Sequence, residues 1–593
     1  MKSQPNGLSI ESLCHKPLPV PFKPDKQAMR DGVRRSPVRD LGPKIEHGMN
    51  PLLTDRAQLL AQLDHAQEFD IAVIGGGATG LGVAVDAAVR GLKVVLLEAH
   101  DFAKGTSSRS TKLVHGGVRY LAQGHLPLVW EALRERQHLL SNAPHLVHPM
   151  PFVMPAYRRT DQWFYGLGLK LYDVLAGPAR LGPTRLLSQA ETLLALPGVR
   201  ITNLVGGVEY WDAQFDDARL ALALARTAAS HGALLFNHMT VTGLQTEYPA
   251  GRIKGLTCQD TETGQERTLK ARCVVNATGV WVDQIEAMLH SQPSNASDAK
   301  VPHAVRPSQG VHLVVDASFW PGSSALLVPH TQDGRVLFAV PWQGKVLLGT
   351  TDTPRPQVDW EPQALESEID QILQEAAKYL VKVPLRSDVV SVWAGLRPLA
   401  RSDEKSKEQG ATHNVSREHT VKVASNGLVS VTGGKWTTYR AMAADVMQSI
   451  RKAQLISLTS EDVTLQTKLW GAPTLDLGQG PSQSLQKDGA TASSTVSPYG
   501  TDAELLASLP GAEQGLAQLP STQLSEAMVR FAARYEYART VEDVLARRNR
   551  LLFLDAKAAL AVAPQVAAIL STETGVSPQL EAFEALAKSY QMP

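Results

Sequence analysis

Cysteine is almost missing from this chain. Only Cys14, Cys258 and Cys273 occur in 593 residues, an odd count without CxxC spacing, which argues against a disulfide framework and a structural zinc site and fits a reducing compartment. An excess of one charge is missing too: 59 Lys plus Arg stand against 58 Asp plus Glu, so no global field draws the protein to nucleic acid. Any anion site must be a local cluster. Long hydrophobic runs are also absent. "LALALA" at 220–225 is far short of the ~18 apolar residues a spanning helix needs, and "AALAVAPQVAAIL" at 558–570 is interrupted by Pro564, so no membrane crossing is expected. No apolar stretch marks a secretory signal. Glu11, Asp25, Asp31, Asp40 and Glu46, among several prolines, speak against a transit peptide.

What is there implies two or three domains. Residues 1–65 begin rich in Pro, Lys and Arg, without hydrophobic period, and read as a disordered extension. From Phe69 the pattern becomes a strand (Asp70 to Ile74), a glycine turn, a helix to about Arg90 ended by Gly91, and a strand "KVVLLE" closing at Glu98: one βαβ unit. A later helix starts at the Asp216/Asp217 cap and stops near Gly232, followed by strand-like "ALLFNHMTVTGL". Between Val301 and Thr353, "GVHLVVD", "SALLVPH", "GRVLFAVPW" and "GKVLLGTTD" are short β-rich runs. Asp333-Gly334 and Gln343-Gly344 are hairpin signals there, so an antiparallel sheet is expected. Residues 466–500, dominated at their C-terminal end by Gly, Ser, Pro and Thr, read as a linker. Residues 501–593 read as a helical domain, with Thr540 and Asp543 forming a capping-box-like start.

"FDIAVIGGGATGLG", residues 69–82, contains Gly75, Gly77 and Gly80 in GxGxxG spacing, with a strand before, a helix after and Glu98 closing the next strand. The first glycine permits the turn and the second lets a pyrophosphate approach the helix amides. The third allows close helix–strand packing, and Glu98 would accept bonds from ribose hydroxyls. FAD and NAD share this fingerprint. "CVVNATGVW" at 273–281, an apolar strand ending in Ala277-Thr278-Gly279, resembles the second contact strand of two-domain flavoproteins, and the two together favour FAD.

With that glycine turn, the segments "TSSRSTKLVHGGVRYL" (106–121), "WDAQFDDARL" (211–220), "WAGLRPL" (393–399) and "VTGGKWTTYR" (431–440) make the chain similar to flavin-dependent, quinone-linked glycerol-3-phosphate dehydrogenases. The "TVEDVLARRNRLLFLDAKAA" stretch resembles their C-terminal helical domain. The resemblance implies an α/β fold: a Rossmann-like FAD domain (66–150, 205–300 and 401–465) interleaved with an antiparallel-sheet substrate domain (151–204 and 301–400). It implies oxidation of sn-glycerol 3-phosphate to dihydroxyacetone phosphate. The acceptor would be ubiquinone or menaquinone, reached by peripheral attachment to the inner membrane from the cytoplasm, and a homodimer is possible. An oxidase using oxygen, a related amino or hydroxy acid oxidoreductase, and a regulator that has lost catalysis are the alternatives.

Oxidising a secondary alcohol needs a hydride acceptor, a base for the hydroxyl proton and cations for the phosphate. The family pattern places Arg119 and Tyr120 at the substrate, with Arg397 similarly carried over and Arg417 aligned less surely, since the preceding loop varies. Lys435, in a glycine-rich turn leading into a helix, would offset negative charge on the reduced flavin. His312 is the first candidate base and His115 the second, because an imidazole titrates near working pH. Thr106, Ser107, Ser108 and Lys112 are expected near the ribityl chain and pyrophosphate. His115, Gly116 and Gly117 are expected along the flavin, with Gly434, Lys435 and Thr437. No metal is implied. The apolar, aromatic segment 161–177 suggests an interfacial helix.

Overall fold

The computed structural model describes residues 53–122, 124–247, 251–289, 304–329, 331, 336–400, 419–458, 462–473, 497–518 and 523–592. The predicted βαβ unit is formed by β1 (Phe69–Ile74), a helix Ala78–Val89 and β2 (Val94–Leu97). β1 pairs in parallel with β2 on one side and with Glu266–Asn276 on the other, the register running Ile71↔Cys273 to Ile74↔Asn276. Val429–Gly433 and Leu234–Phe236 extend the parallel set outward. These strands are Val-, Ile- and Leu-rich on both faces because helices cover both, and their carboxyl ends share one edge, where α/β sheets bind ligands.

The second sheet has ten strands. Its spine is Val305–Asp316 against Val389–Ala400, antiparallel from Val305↔Ala400, through His312↔Trp393, to a bulge at Val314/Val315. The hairpin joining Leu337–Trp342 to Lys345–Gly349 turns at Gln343 and Gly344, both with positive φ (46° and 76°), as the sequence signal requires. The Asp333-Gly334 signal lies outside the described residues, as do Arg417 and most of the expected linker. Strand Gly206–Phe215, assigned above to the FAD segment 205–300, instead belongs to this second sheet, paired along its length with Val147–Ala156.

Another correction concerns the extension. Residues Arg56–His65 form a helix, capped by the Asp55 carboxylate accepting from Gln58 N (2.9 Å), with Leu59 and Leu63 buried one turn apart. Arg56 pairs with Asp260 at 2.9 Å and fastens the helix to the body. Two leucines at i, i+4 are too weak a pattern to stand out beside a Pro-rich stretch.

C-terminal helices Glu526–Tyr535, Leu551–Leu554, Ala556–Thr574 and Leu580–Ser589 pack on the second sheet. Phe553 reaches across to Trp393, ring centroids 5.2 Å apart. The expected reciprocal cap is present: Thr540 N donates to Asp543 Oδ2 (3.0 Å) and Asp543 N to Thr540 Oγ1 (3.2 Å). The turn it opens, Asp543–Arg548, is π-helical and turns Arg547 and Arg548 inward.

Candidate active site

A cavity of about 1280 Å³ opens between the two sheets, at the carboxyl ends of the parallel strands. That exceeds the ~300–1,000 Å³ usual for a single drug-sized ligand, leaving room for a dinucleotide and a small substrate together. Its first part is the glycine turn. Gly75 has φ +104°, and a Cβ there would lie 2.8 Å from Ala277 O, so only glycine lets this turn pass the Ala277-Thr278-Gly279 strand end. A Cβ at Gly80 would overlap the Gly75 carbonyl oxygen. Gly77 occupies the helix N-cap without a side-chain cap, and Gly77, Ala78 and Thr79 line the cavity. Ser107 Oγ accepts from Ala78 N at 2.9 Å, bringing the 106–108 turn against the helix start. The Glu98 carboxylate accepts from Gly76 N (2.7 Å) and His100 N (3.0 Å), and burial raises its pKa. A helix N-terminus facing the cavity, a cradle that any Cβ would fill and a carboxylate beside it fit the pyrophosphate and ribose of FAD.

Further along, three separate segments converge. Trp436 Nε1 donates to Ser107 O (2.8 Å), and His115 N donates to Thr437 Oγ1 (3.3 Å), so the "GGKWTT" turn lies against both the "TSS" and "HGG" turns. Lys435 Nζ sits 3.9 Å from the centre of the Tyr120 ring. His312, on the spine of the second sheet, stacks on Trp393 (4.2 Å, 19°) and shares a 2.9 Å hydrogen bond between Nε2 and Thr111 Oγ1. Burial above all, then the charges of Lys112 and Arg397, hold its pKa well below the usual histidine range, so the ring is neutral at neutral pH. Arg397 is held by Thr350 Oγ1 (3.0 Å), Thr351 O (3.0 Å) and Gln309 O (3.2 Å), with Asp352 Oδ1 at 3.5 Å. A cation, a neutral imidazole and an ammonium therefore face one cavity. Phe338, Leu327 and Met154 supply apolar wall.

Gly75, Gly77, Glu98, Thr106, Ser107, His115, Gly117, Tyr120, Ala277, Thr278, Gly279, His312, Arg397, Gly434, Lys435 and Thr437 all line this cavity. Gly80 does not, and its place is the helix–strand contact. Three expected cofactor contacts are corrected. The Lys112 side chain is fully buried, its Nζ on Asp217 (2.7 Å) and Ser108 O (2.7 Å), because a lysine in this turn is fixed by the buried carboxylate at the start of helix Asp217–Ser230. Ser108 is buried beside it, its carbonyl also accepting from Arg550 (2.7 Å). Gly116 N donates to Tyr172 OH (2.8 Å), away from the cavity. The side chain of Arg119 and the whole of Arg417 lie outside the described residues. Sequence reasoning missed Thr111, although it lies inside the quoted "TSSRSTK". It also missed Thr350 and Asp352, whose strand-end position carries no local signal.

Residues 70–440 match the family model described as FAD dependent oxidoreductase, and residues 462–581 match that of the C-terminal domain of alpha-glycerophosphate oxidase. The chain is 41% identical over 541 residues to the mitochondrial glycerol-3-phosphate dehydrogenase of Macaca fascicularis, covering 87% of this chain and 72% of that one. With the mitochondrial enzyme of Saccharomyces cerevisiae the identity is 37% over 564 residues, 86% and 87% of the two chains. Among solved structures, the glycerol-3-phosphate dehydrogenase of Bacillus halodurans complexed with FAD superposes with a TM-score of 0.67 at 28% identity, covering 91% of this chain and 98% of that one. Among the described residues no helix is long and apolar enough to cross a membrane. With the glycine cradle, the convergent cation and imidazole and both family models in their order, this chain belongs to the FAD-dependent glycerol-3-phosphate dehydrogenases.

Proposed function

We propose that the protein oxidises sn-glycerol 3-phosphate at C2 to dihydroxyacetone phosphate, with FAD as acceptor, and delivers the electrons to a membrane quinone. The carrying observation is that Arg397, Lys435 and neutral His312 meet in the cavity that the glycine cradle opens. FAD, when bound, supplies the two-electron acceptor and takes on negative charge as it is reduced. Lys435 contributes a fixed positive charge for that anion, held over Tyr120 at the start of the turn Trp436–Thr438. Arg397, pinned by the Gln309 and Thr351 carbonyls, presents a preoriented cation for the substrate phosphate, with Arg119, Tyr120 and Arg417 as further ligands. His312 takes the C2 hydroxyl proton, its ring fixed by the Trp393 stack and by Thr111, with His115 the second candidate.

The reading of a quinone partner and of attachment to the inner membrane from the cytoplasmic side is supported by the helix Arg159–Ala176. It turns Trp163 (68% exposed), Phe164 (70%), Leu167 (74%) and Val174 (74%) outward, and the last three also line the cavity mouth. An apolar stripe that joins the site to the outside suits a lipophilic acceptor. A second reading, an oxidase using oxygen, draws on the match to the C-terminal domain of alpha-glycerophosphate oxidase.

The test begins with the purified protein and its visible spectrum. Anaerobic sn-glycerol 3-phosphate is expected to bleach the ~450 nm band of the oxidised flavin; a flavin indifferent to it would refute the substrate. Quinone reduction against oxygen uptake then separates the two acceptors. Trp163→Ser with Phe164→Ser is expected to release the enzyme from lipid vesicles while sparing dye-coupled turnover. Unchanged vesicle binding would exclude the helix.

A further inference from the structure

The cofactor end of the cavity is crossed by a segment that the chemistry above does not use. Between Thr353–Pro354, at the edge of the second sheet, and the helix Glu366–Tyr379, the chain leaves its own sheet and lies against residues of the first. Trp360 stacks on Trp281, ring centroids 3.9 Å apart and planes within 15°. His100 meets the same Trp360 edge-on at 4.3 Å. Trp281 stands two residues beyond the Ala277-Thr278-Gly279 strand end, and His100 two residues beyond Glu98. The neighbouring Glu361 receives Arg109 NH2 at 2.7 Å and Tyr590 OH at 3.3 Å, with Lys104 Nζ at 3.6 Å. Trp281, Trp360, Lys104, Gly105 and Arg109 all line the cavity beside Glu98.

Three features distinguish this contact from ordinary packing. Trp360 is 39% exposed, so the stack stands at the rim of the cavity rather than in a core. The indole Nε1 of Trp281 is buried without a hydrogen-bond partner among the described residues, a donor left over beside the cofactor cradle. The middle of the segment, Trp360 and Glu361, grips the cradle's own loops and Tyr590, while its two ends stay anchored to the second sheet, Arg355 N donating to Pro307 O (3.0 Å) and Gln309 Nε2 to Gln363 O (3.0 Å). The glycine turn and Glu98 mark this as the adenosine side of the site, since the acidic residue closing the second strand takes the ribose.

We propose that residues 355–364 form a clasp over the adenosine side of the FAD site, and that its opening limits FAD exchange. The inference rests on the FAD-dependent reading. Opening separates Trp360 from Trp281 and Glu361 from Arg109 and Lys104, the ends held at Pro307 and Gln309 serving as the hinges. A stacked aromatic pair is worth up to about a tenfold step in an equilibrium, and the Glu361 cluster adds an electrostatic hold that salt weakens.

The test uses the holoprotein, with FAD release followed by the rise of free-flavin fluorescence after dilution, and the urea midpoint of each apoprotein measured separately. Trp360→Ala is expected to release FAD about tenfold faster, while Trp360→Phe, which keeps a stacking ring, stays within roughly threefold of the parent. Glu361→Gln is expected to speed release and to abolish its acceleration by salt. Apoprotein midpoints should stay together. Release at the parent rate in Trp360→Ala and Glu361→Gln would overturn the clasp, as would acceleration that merely follows a fall in the apoprotein midpoint, or a Trp360→Phe variant as leaky as Trp360→Ala. A parent protein purified without flavin but able to bind added FAD would still permit the measurement, and one that never binds FAD would sink the cofactor reading and the clasp with it.

Discussion

His312 shows how little of a residue's chemistry is carried by its type. Any of 17 histidines could have been the base, and the sequence offered two. The fold separates His312 from most by burying its ring, stacking it on Trp393 and placing it beside Lys112 and Arg397, which together keep it neutral. Two consequences follow from that depressed pKa. In kinetics, kcat/KM is expected to stay level from about pH 8 to about pH 6, because the acid limb of the base lies below the normal histidine range. A limb centred near pH 6.5 would exclude His312, and His312→Gln should lower kcat by about 10²–10⁴. In stability the sign is the same. As pH falls past about 6.5 the unfolded chain binds protons that native His312, His100 and His145 refuse, the last two being held at about 4 largely by burial, so stability present above pH 6.5 is lost towards pH 4. Urea midpoints measured between pH 7 and pH 5 should decline, and less steeply in His100→Gln than in the parent.

At the scale of elements, the glycine turn was the most legible feature and remains the most sensitive. Its requirements are local: a strand, a φ of +104° at Gly75, and contact between helix and turn at Gly80. A methyl group at Gly80 has no room unless the helix Ala78–Val89 shifts away from β1, which would spoil the amides offered to the pyrophosphate. Gly80→Ala is therefore expected to yield protein with a flavin-to-protein absorbance ratio near zero; a normal ratio would show that the helix yields without cost to the site. Other elements misled for physical reasons. Lys112 stands in a serine-rich turn that does line the cavity, but its own side chain points the opposite way, into Asp217. The helix Arg56–His65 is held by partners about two hundred residues away, Asp260 and Glu262, which no local pattern reveals.

On the scale of the molecule, the C-terminal helices are tied to the cofactor loops by buried charge. Asp101, completely buried three residues after Glu98, takes Arg547 and Arg548 from the π-helical turn and Asn237 (3.0 Å) from the first sheet's edge. Arg550 reaches Ser108 O and Asp217, and Lys104 reaches Glu542 at 2.8 Å. A buried pair adds little by existing but costs about 3–5 kcal/mol when one partner is removed. Asp101→Ala is expected to lower stability by about that amount and to loosen FAD as well, since the carboxylate sits between the helices and the cradle. A shift in the urea midpoint with FAD affinity unchanged would show that the two are independent.

The sequence by itself determined the βαβ unit, the dinucleotide cradle, the antiparallel run of strands between Val305 and Gly349 and the family, because each rests on residues a few positions apart whose backbone geometry or period is dictated locally. It also pointed to Arg397, Lys435 and Tyr120, through short blocks that resemble those of known enzymes, and to His312, through a strand placed to face the site and an imidazole's titration range. Tertiary structure alone decided which sheet Gly206–Phe215 joins, which way Lys112 points, that His312 is neutral and that Trp360 lies across Trp281. Those outcomes depend on burial and on charges from strands and helices far apart in the chain, and neither desolvation nor a distant counter-ion leaves a mark on neighbouring residues.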